Sequence, residues 1–261
     1  MNKKIFLVLL AAACVHVPVT NRKQMKLLPE TMLQNMAATE YKAVIAKGPI
    51  SQNAAEIEKI RRVGNRISSA IRNYLMKHKQ GKRLDGIVWE FNLIEQQVVN
   101  AWCMPGGKVA FYTGIMPLCN TDEFIATVMG HEIAHAIARH GNERMSQQLL
   151  LTTGQVAVSV AVANKPKETQ DLFLQAYGVG TALGLILPYS RLHEYEADKM
   201  GLVFMAMAGY DPRKSVDFWK KMAAIGGQKP PQFMSTHPSD ENRIAELNKF
   251  MPTALSHFQG K

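Results

Sequence analysis

Two histidines and a glutamate stand at a spacing that suits metal binding. In the segment His131-Glu132-Ile133-Ala134-His135, the histidines are four residues apart, so on a helix both imidazoles project from one face. Glu132 lies beside them, in the position of the general base of zinc hydrolases. With 8 histidines in 261 residues, chance would produce this motif only ~0.01 times per chain. The segment therefore predicts a zinc site with hydrolytic chemistry.

A catalytic zinc site usually takes a third protein ligand, and the sequence offers several candidates. His140 follows the second histidine by five residues, about 140° off the ligand face of a continuous helix, which favours a surface or core histidine. Glu194 and Asp198 share a helical face, so one could bind the ion while the other orients a ligand imidazole. His193 is a competing ligand, and Glu196 is predicted to be solvated. Spacing alone leaves a ligand pair and a salt-bridged surface equally open.

The elements that must position these side chains are mostly helical, so the sequence predicts an α+β fold. The active-site helix is predicted to begin at Asn120 and to run to about Gly141 or beyond. Beside it we expect a small antiparallel β-meander with a Pro-Gly-Gly turn, formed by strands over 87–94, 98–104 and 108–113. Further helices are predicted from 29 to 48, from 53 onward, over 190–209, from 212 onward and over 239–250.

Residues 149–187 are unusually apolar, in two pieces that are interrupted at 165–168. Each piece has about 15 residues, fewer than the roughly 20 that a helix needs to cross a bilayer. We therefore expect buried or membrane-apposed helices here, which could contact a membrane or a partner.

The chain begins with a pattern typical of exported bacterial proteins. Two lysines precede an apolar run over residues 5–13, and Ala11-Ala12-Ala13-Cys14 resembles a lipobox, in which the cysteine carries the lipid. A plain signal peptide that is cleaved nearby is the alternative. The sequence thus predicts three parts: a signal peptide over 1–14 with lipidation at Cys14, a tether over 15–29 and a folded domain over 30–261.

Charge and cysteine usage narrow the possible partners. The net charge is +10, and the basic residues are scattered, so we expect a solvated basic surface and no nucleic-acid partner. Of the three cysteines, Cys103 and Cys119 remain besides the lipidation candidate. A disulfide between them is permitted in an oxidising compartment, and two buried thiols are an equal alternative.

Several motifs together resemble those of the M48 peptidases, over about residues 30–250. The resemblance rests on HExxH, Arg191-x-x-Glu194-x-x-x-Asp198, Asn100-Ala101, Pro105-Gly106-Gly107 and His237-Pro238. It implies a zincin-like fold of the gluzincin type with one zinc ion per chain. It also implies roles for particular residues: zinc ligands His131, His135 and Glu194, general base Glu132, and Asp198 behind a ligand.

The resemblance leaves two roles open for His237, which corresponds to the family's loop histidine. It either stabilises the oxyanion during catalysis or covers the zinc as an inhibitory fourth ligand, and the plain alternative is a helix-initiating turn at His237-Pro238. We further hypothesise that the strand before Pro105 pairs with the main chain of an extended substrate.

The resemblance implies a zinc endopeptidase that cleaves unfolded or misassembled envelope proteins. It would be held by its N-terminal lipid to the outer membrane, facing the periplasm of a bacterial cell. The alternative function is an envelope chaperone or assembly factor whose zinc site is largely autoinhibited. No oligomeric state is assigned.

Overall fold

The computed structural model describes residues 14–153, 166–177, 190–225, 231–237 and 242–259. Its helices are α1 (Glu30–Lys47), α2 (Ala54–Lys77), α3 (Asp122–Ala138), α4 (His140–Thr153), α5 (Pro166–Tyr177), α6 (Arg191–Met207), α7 (Lys214–Ala224), α8 (Gln232–Thr236) and α9 (Arg243–Leu255). Its strands are β1 (Cys14–His16), β2 (Lys23–Met25), β3 (Glu90–Ile94), β4 (Ala101–Met104) and β5 (Lys108–Tyr112). The predicted mostly helical α+β fold is confirmed.

Some sequence predictions fall outside the described residues. These are the apolar run of the signal peptide, much of the apolar stretch over 149–187, and the predicted start of the last helix at 239. Within the described ranges, no helix combines the length and the apolar character needed to cross a membrane.

The three-stranded sheet has the order β3-β5-β4. Strands β4 and β5 form the predicted antiparallel hairpin around Gly106 and Gly107, both at φ +81, a region that favours glycine. Strand β3 pairs in parallel with β5, so the prediction of an antiparallel meander is wrong for this strand. The reason is the path of residues 95–100, which cross the end of β5 at Gly114. A Cβ on Gly114 would lie 2.5 Å from the Val98 nitrogen.

Helix α3 carries the HExxH motif through the centre of the core, where nearly all of its residues are buried. It packs most extensively on α6 and also contacts α2, α7 and β4. Helix α2 contributes an apolar stripe, which is buried: Ile60, Val63, Ile67, Ile71 and Leu75. The motif is therefore held by packing on several sides rather than by local helix propensity.

The ends of α3 differ from the prediction. Thr121, not Asn120, caps the helix, and its hydroxyl accepts a hydrogen bond from the Phe124 nitrogen at 3.3 Å. The helix stops at Ala138 because Arg139 adopts a left-handed conformation with φ 61. The predicted single helix is therefore two, and α4 leaves in a new direction from His140.

Helices α3 and α6 approach each other at a pair of glycines. A Cβ built on Gly201 would lie 3.1 Å from both the Gly130 carbonyl carbon and the His131 nitrogen, and one on Gly130 would lie 3.1 Å from the Gly201 oxygen. These contacts are with backbone, so a larger residue at either position would push the helices apart.

Residues 14–25 form a hairpin of β1 and β2 that packs on the domain, and we call it the N-terminal strap. Val17 and Gln24 are buried. Arg83 donates one hydrogen bond to the His16 carbonyl and another, at 2.6 Å, to the carbonyl of Ile137 near the end of α3. The prediction of a tether over 15–29 is thus wrong for the strap, because long-range polar contacts bind this part of the chain to the core.

Candidate metal centre

Four buried side chains from three elements converge to form what we call the cage: His131 and His135 from α3, Glu194 from α6, and His237 just after α8. The Nε2 atoms of His131 and His135 are 3.1 Å apart, and His237 Nδ1 lies 3.2 Å from His131 Nε2 and 3.1 Å from Glu194 Oε1. His135 Nε2 lies 3.3 Å from Glu194 Oε1. The predicted ligands therefore meet, and His237 joins them as a fourth.

The donor set and its spacing fit a tetrahedral zinc ion. Bonds of 2.0–2.1 Å in a tetrahedron place the ligand atoms about 3.3 Å apart, close to the distances in the cage. Glu194 Oε2 is buried and has no hydrogen-bond partner among the described residues. Three imidazole nitrogens and a carboxylate that face one another in the buried interior favour a cation at their centre.

Asp198 stands behind His131, as predicted. Its Oδ1 is 2.9 Å from His131 Nδ1, and Arg243 donates to both carboxylate oxygens at 2.7 and 2.8 Å. Arg243 is buried and lies 3.3 Å from the centroid of the Trp219 ring. The carboxylate therefore fixes the imidazole so that Nε2 points into the cage.

Carboxylates also set the charge of His131 in the absence of a metal. Although burial opposes protonation, Glu194 and Asp198 raise the pKa of His131 to about 9. Despite the opposing effect of burial, the pKa of Glu194 is held well below its usual range by His237 and His131. The negative charge of the cage is thus available to a cation, which must displace a proton from His131 when it binds.

Glu132 lies next to the cage without joining it. Its side chain is buried, and Oε1 is 3.4 Å from His237 Nε2. Burial raises the pKa of Glu132 above its ordinary value. A carboxylate with a raised pKa is better suited to carry a proton between two reacting groups near neutral pH.

His135 is supported by His140 and Glu196, whose role the sequence did not reveal. Its Nδ1 is 2.9 Å from His140 Nδ1, and His140 Nε2 is 2.9 Å from Glu196 Oε2. Glu196 is 3% exposed, so the prediction of a solvated side chain is wrong. The strap covers this side of α6: Thr20 donates to Glu196 Oε1, and Arg22 donates to Oε2 at 2.7 and 2.9 Å.

His193, the competing ligand, lies outside the cage and 3.0 Å from Glu143 Oε2. Glu143 also accepts two hydrogen bonds from Arg22, at 2.7 and 2.9 Å, and one from Gln24 at 3.1 Å. Arg22 thus joins two buried carboxylates. No spacing rule points to this residue, because its partners lie more than a hundred positions away in the chain.

We expect acid to weaken the attachment of the strap. The pKa of Glu143 lies well below its usual range, because hydrogen bonds from Arg22, His193 and Gln24 outweigh the opposing effect of burial. A lowered pKa in the folded state stabilises the fold above the unfolded pKa, about 4.5, and this stabilisation is lost as the pH falls through the folded value. Between about pH 5 and pH 3, the free energy of unfolding should fall on the order of 1–3 kcal/mol more than in Glu143→Gln. Urea unfolding at each pH measures this, and equal losses in both proteins would contradict it.

Cys103 and Cys119 are both free and buried, so the possible disulfide is not formed, and the alternative of two buried thiols describes them. Burial raises the pKa of both thiols well above the ordinary value. Cys14, the lipidation candidate, is the first residue of β1.

Comparison with known proteins identifies a matching family and several relatives. The sequence profile of Peptidase family M48 matches residues 58–251. A mitochondrial metalloendopeptidase OMA1 of Schizosaccharomyces pombe is 31% identical over 244 residues, which cover 92% of this chain and 67% of that protein. The Arabidopsis thaliana protein of that name is 37% identical over 174 residues, 66% of this chain and 34% of that protein. The beta-barrel assembly-enhancing protease of Escherichia coli is 29% identical over 163 residues, 60% of this chain and 33% of that protein.

The chain spans about a third of the Arabidopsis and Escherichia coli proteins and two thirds of the Schizosaccharomyces pombe protein. The family match covers most of the chain and contains the whole cage, with Glu132 and Asp198. Profile, relatives and site geometry agree that this chain belongs to the M48 family of metallopeptidases.

Proposed function

We propose that this protein is a zinc-dependent endopeptidase that cleaves unfolded or misassembled proteins of the bacterial cell envelope. The observation that carries the proposal is the position of three cage residues, His131, His135 and Glu194, with the buried carboxylate of Glu132 beside them. The names of the relatives, which include metalloendopeptidases and a beta-barrel assembly-enhancing protease, support this activity. The bacterial beta-barrel assembly-enhancing protease also supports this compartment.

Each residue of the site has a distinct task in peptide hydrolysis. Zinc, when bound, acidifies water and polarises a carbonyl group. Glu132 takes the proton of the attacking water on its carboxylate and then gives it to the leaving amine. Asp198 holds His131 in the tautomer that presents Nε2 to the cage.

The proposed location is the periplasmic face of the outer membrane, with a lipid on Cys14. The leader pattern supports export, and the strap would begin directly at the lipid-bearing residue. The substrate would be an extended chain that pairs with the strand before Pro105, predicted over 98–104, since β4 in this stretch is an outer strand of the three-stranded sheet. Main-chain pairing depends little on sequence and therefore suits unfolded proteins.

Metal content and cleavage of an unfolded protein test this function. We expect the purified full-length chain to hold one zinc ion and to cleave unfolded casein, and to lose cleavage when the zinc is removed by a chelator. Zinc without cleavage would shift the assignment to a chaperone or assembly factor. A chain that binds no zinc would refute both.

One observation favours this second function, a chaperone or assembly factor with a largely closed site. His237 occupies the fourth position of the cage, where water or substrate must bind in an active zinc hydrolase. Residues 231–237, which include His237, also lie against the strand proposed to pair with the substrate. The Phe233 nitrogen donates to the Val99 carbonyl at 3.1 Å, just before β4. Residues 231–237 therefore block the metal and the edge together, and they must move before a peptide can bind.

We expect His237→Ala to increase casein cleavage. If the imidazole holds the closed state with about 1.4 kcal/mol, its removal raises the fraction of open protein and the initial rate about tenfold. Initial rates at equal zinc content measure the effect, with the exposed His78→Ala as the control. Lost cleavage in His237→Ala would instead assign the imidazole to catalysis, and the double variant with Glu132→Gln should cleave nothing.

A further inference from the structure

We propose that Arg22, in the N-terminal strap, is a positioning residue for the metal ligand His135. The inference rests on the proposed function, since it concerns the same metal site. It adds a residue that lies outside the stretch matched by the family profile, residues 58–251. Arg22 acts through Glu196 and His140, which form a continuous line of contacts to the ligand.

The orientation of His135 in the cage determines which ring nitrogens along this line carry a hydrogen. When His135 Nε2 faces the metal, its Nδ1 carries the hydrogen and donates to His140 Nδ1 at 2.9 Å. His140 is then protonated at Nε2 and donates to Glu196 Oε2 at 2.9 Å. The line ends on a carboxylate oxygen of Glu196, which accepts this hydrogen bond. The orientation of His135 thus depends on the place of the Glu196 carboxylate.

Arg22 keeps that carboxylate in place. Glu196 and Glu143 are both buried, and one guanidinium nitrogen, Arg22 Nη2, contacts Glu196 Oε2 and Glu143 Oε2, each at 2.7 Å. Two carboxylates that meet at one nitrogen repel each other when the cation is removed. Without Arg22, the Glu196 carboxylate would turn away from that of Glu143, and His140 would lose its acceptor.

The geometry therefore makes the cage depend on the docking of the strap. Thr20 contacts the same carboxylate, and Arg83 ties the strap to the end of α3 through the carbonyls of His16 and Ile137. A strap that leaves the domain takes Arg22 with it. The ligand on α3 would then lose its support, although no ligand belongs to the strap.

Zinc affinity and the spectrum of the cobalt-substituted protein test the proposal on the full-length chain. We expect Arg22→Ala to bind zinc about tenfold more weakly, the lower end of the range for residues behind a metal ligand. We also expect a changed visible spectrum with Co²⁺, because the ligand field at His135 is altered. Arg22→Lys keeps one charge near the two carboxylates and should recover part of the affinity.

Arg62→Ala is the matched control. Arg62 also forms a two-pronged pair with a carboxylate, that of Asp122 at the start of α3, but this pair does not reach the cage. The control should leave zinc affinity and cobalt spectrum unchanged, even where it lowers the thermal midpoint. Thr20→Val removes only the hydroxyl that contacts Glu196, and it should give a smaller loss of affinity in the same direction.

A zinc affinity within twofold of the parent and an unchanged cobalt spectrum in folded Arg22→Ala would overturn the proposal and leave Arg22 as a clamp on the strap. If Arg22→Ala does not fold, Thr20→Val decides in the same way, and an unchanged affinity overturns the proposal. A parent chain that binds no zinc is a different result, because it refutes the proposed function itself.

Discussion

Replacing Glu132 by glutamine should abolish peptide cleavage while the metal stays bound. The amide has the shape of the carboxylate but cannot accept the proton of water, and loss of a general base lowers rates by about 10²- to 10⁴-fold. Since Glu132 lies outside the cage and the four cage residues are unchanged, zinc content should remain at one per chain. Casein cleavage and metal analysis on the same preparation measure both quantities.

The variant should also fold as well as the parent. Burial disfavours the charged form of Glu132 and raises its pKa, so a neutral amide of equal size removes an unfavourable charge from the interior. Glu123→Gln, in the first turn of the same helix, is the control and should cleave at the parental rate. Cleavage by Glu132→Gln at the parental rate would remove Glu132 from the mechanism.

Gly201→Ala should destabilise the protein, opposite to the effect that helix propensity predicts. In a free helix, alanine is better than glycine by about 1 kcal/mol. Here the new Cβ would lie 3.1 Å from the Gly130 carbonyl carbon and the His131 nitrogen, both in the backbone of α3. We expect the free energy of unfolding to fall by about 1–3 kcal/mol, as in other overpacked cores.

The metal should report the same displacement. Because the contact includes the nitrogen of His131, a shift of α3 moves one ligand relative to Glu194 on α6, and zinc affinity should fall about tenfold. Gly81→Ala is the control, since its Cβ would meet only the exposed end of Met76. Chemical unfolding and a zinc competition titration measure the two effects. A stabilised Gly201→Ala would show that the crossing has room to adjust.

The sequence predicts which side chains of the metal site share a helix face because that follows from helix periodicity, whereas the choice of Glu194 as a ligand comes from the family resemblance. His131 and His135 need only a helix to share a face, and Glu194 with Asp198 needs only a second one. The α+β class and the β4–β5 hairpin follow from local patterns of the same kind, such as Pro105-Gly106-Gly107.

The support behind His135 escapes such reasoning for two physical reasons. Arg139 breaks the helix in a left-handed conformation without a glycine or proline to mark it, so angles counted past this residue do not place His140. Glu196 points away from Glu194 on α6. In a half-exposed helix, this direction predicts a side chain that is exposed to solvent. The strap covers the Glu196 side of α6 with Arg22. Its strands are too short to show a periodicity from which this contact could be predicted.

The pairing of β3 is a further feature that the sequence does not encode locally. Alternating residues predict a strand but not its partner or direction. The parallel register with β5 depends on the crossing at Gly114, where absence of a side chain lets residues 95–100 pass. Only the three-dimensional path shows why that glycine is required.

The depth of the cage has a consequence for the lifetime of a bound metal. His131, His135, Glu194 and His237 are each at most 3% exposed. Because His237 belongs to residues 231–237 and the other three ligand side chains are buried as well, we expect this segment to move before an ion at their centre can exchange with solvent. Metal exchange would then proceed at the rate of that opening, whatever the concentration of a competing chelator. In a metal-poor environment, the time for which the protein keeps its metal ion would therefore be set by the motion of α8 rather than by the strength of the metal–ligand bonds.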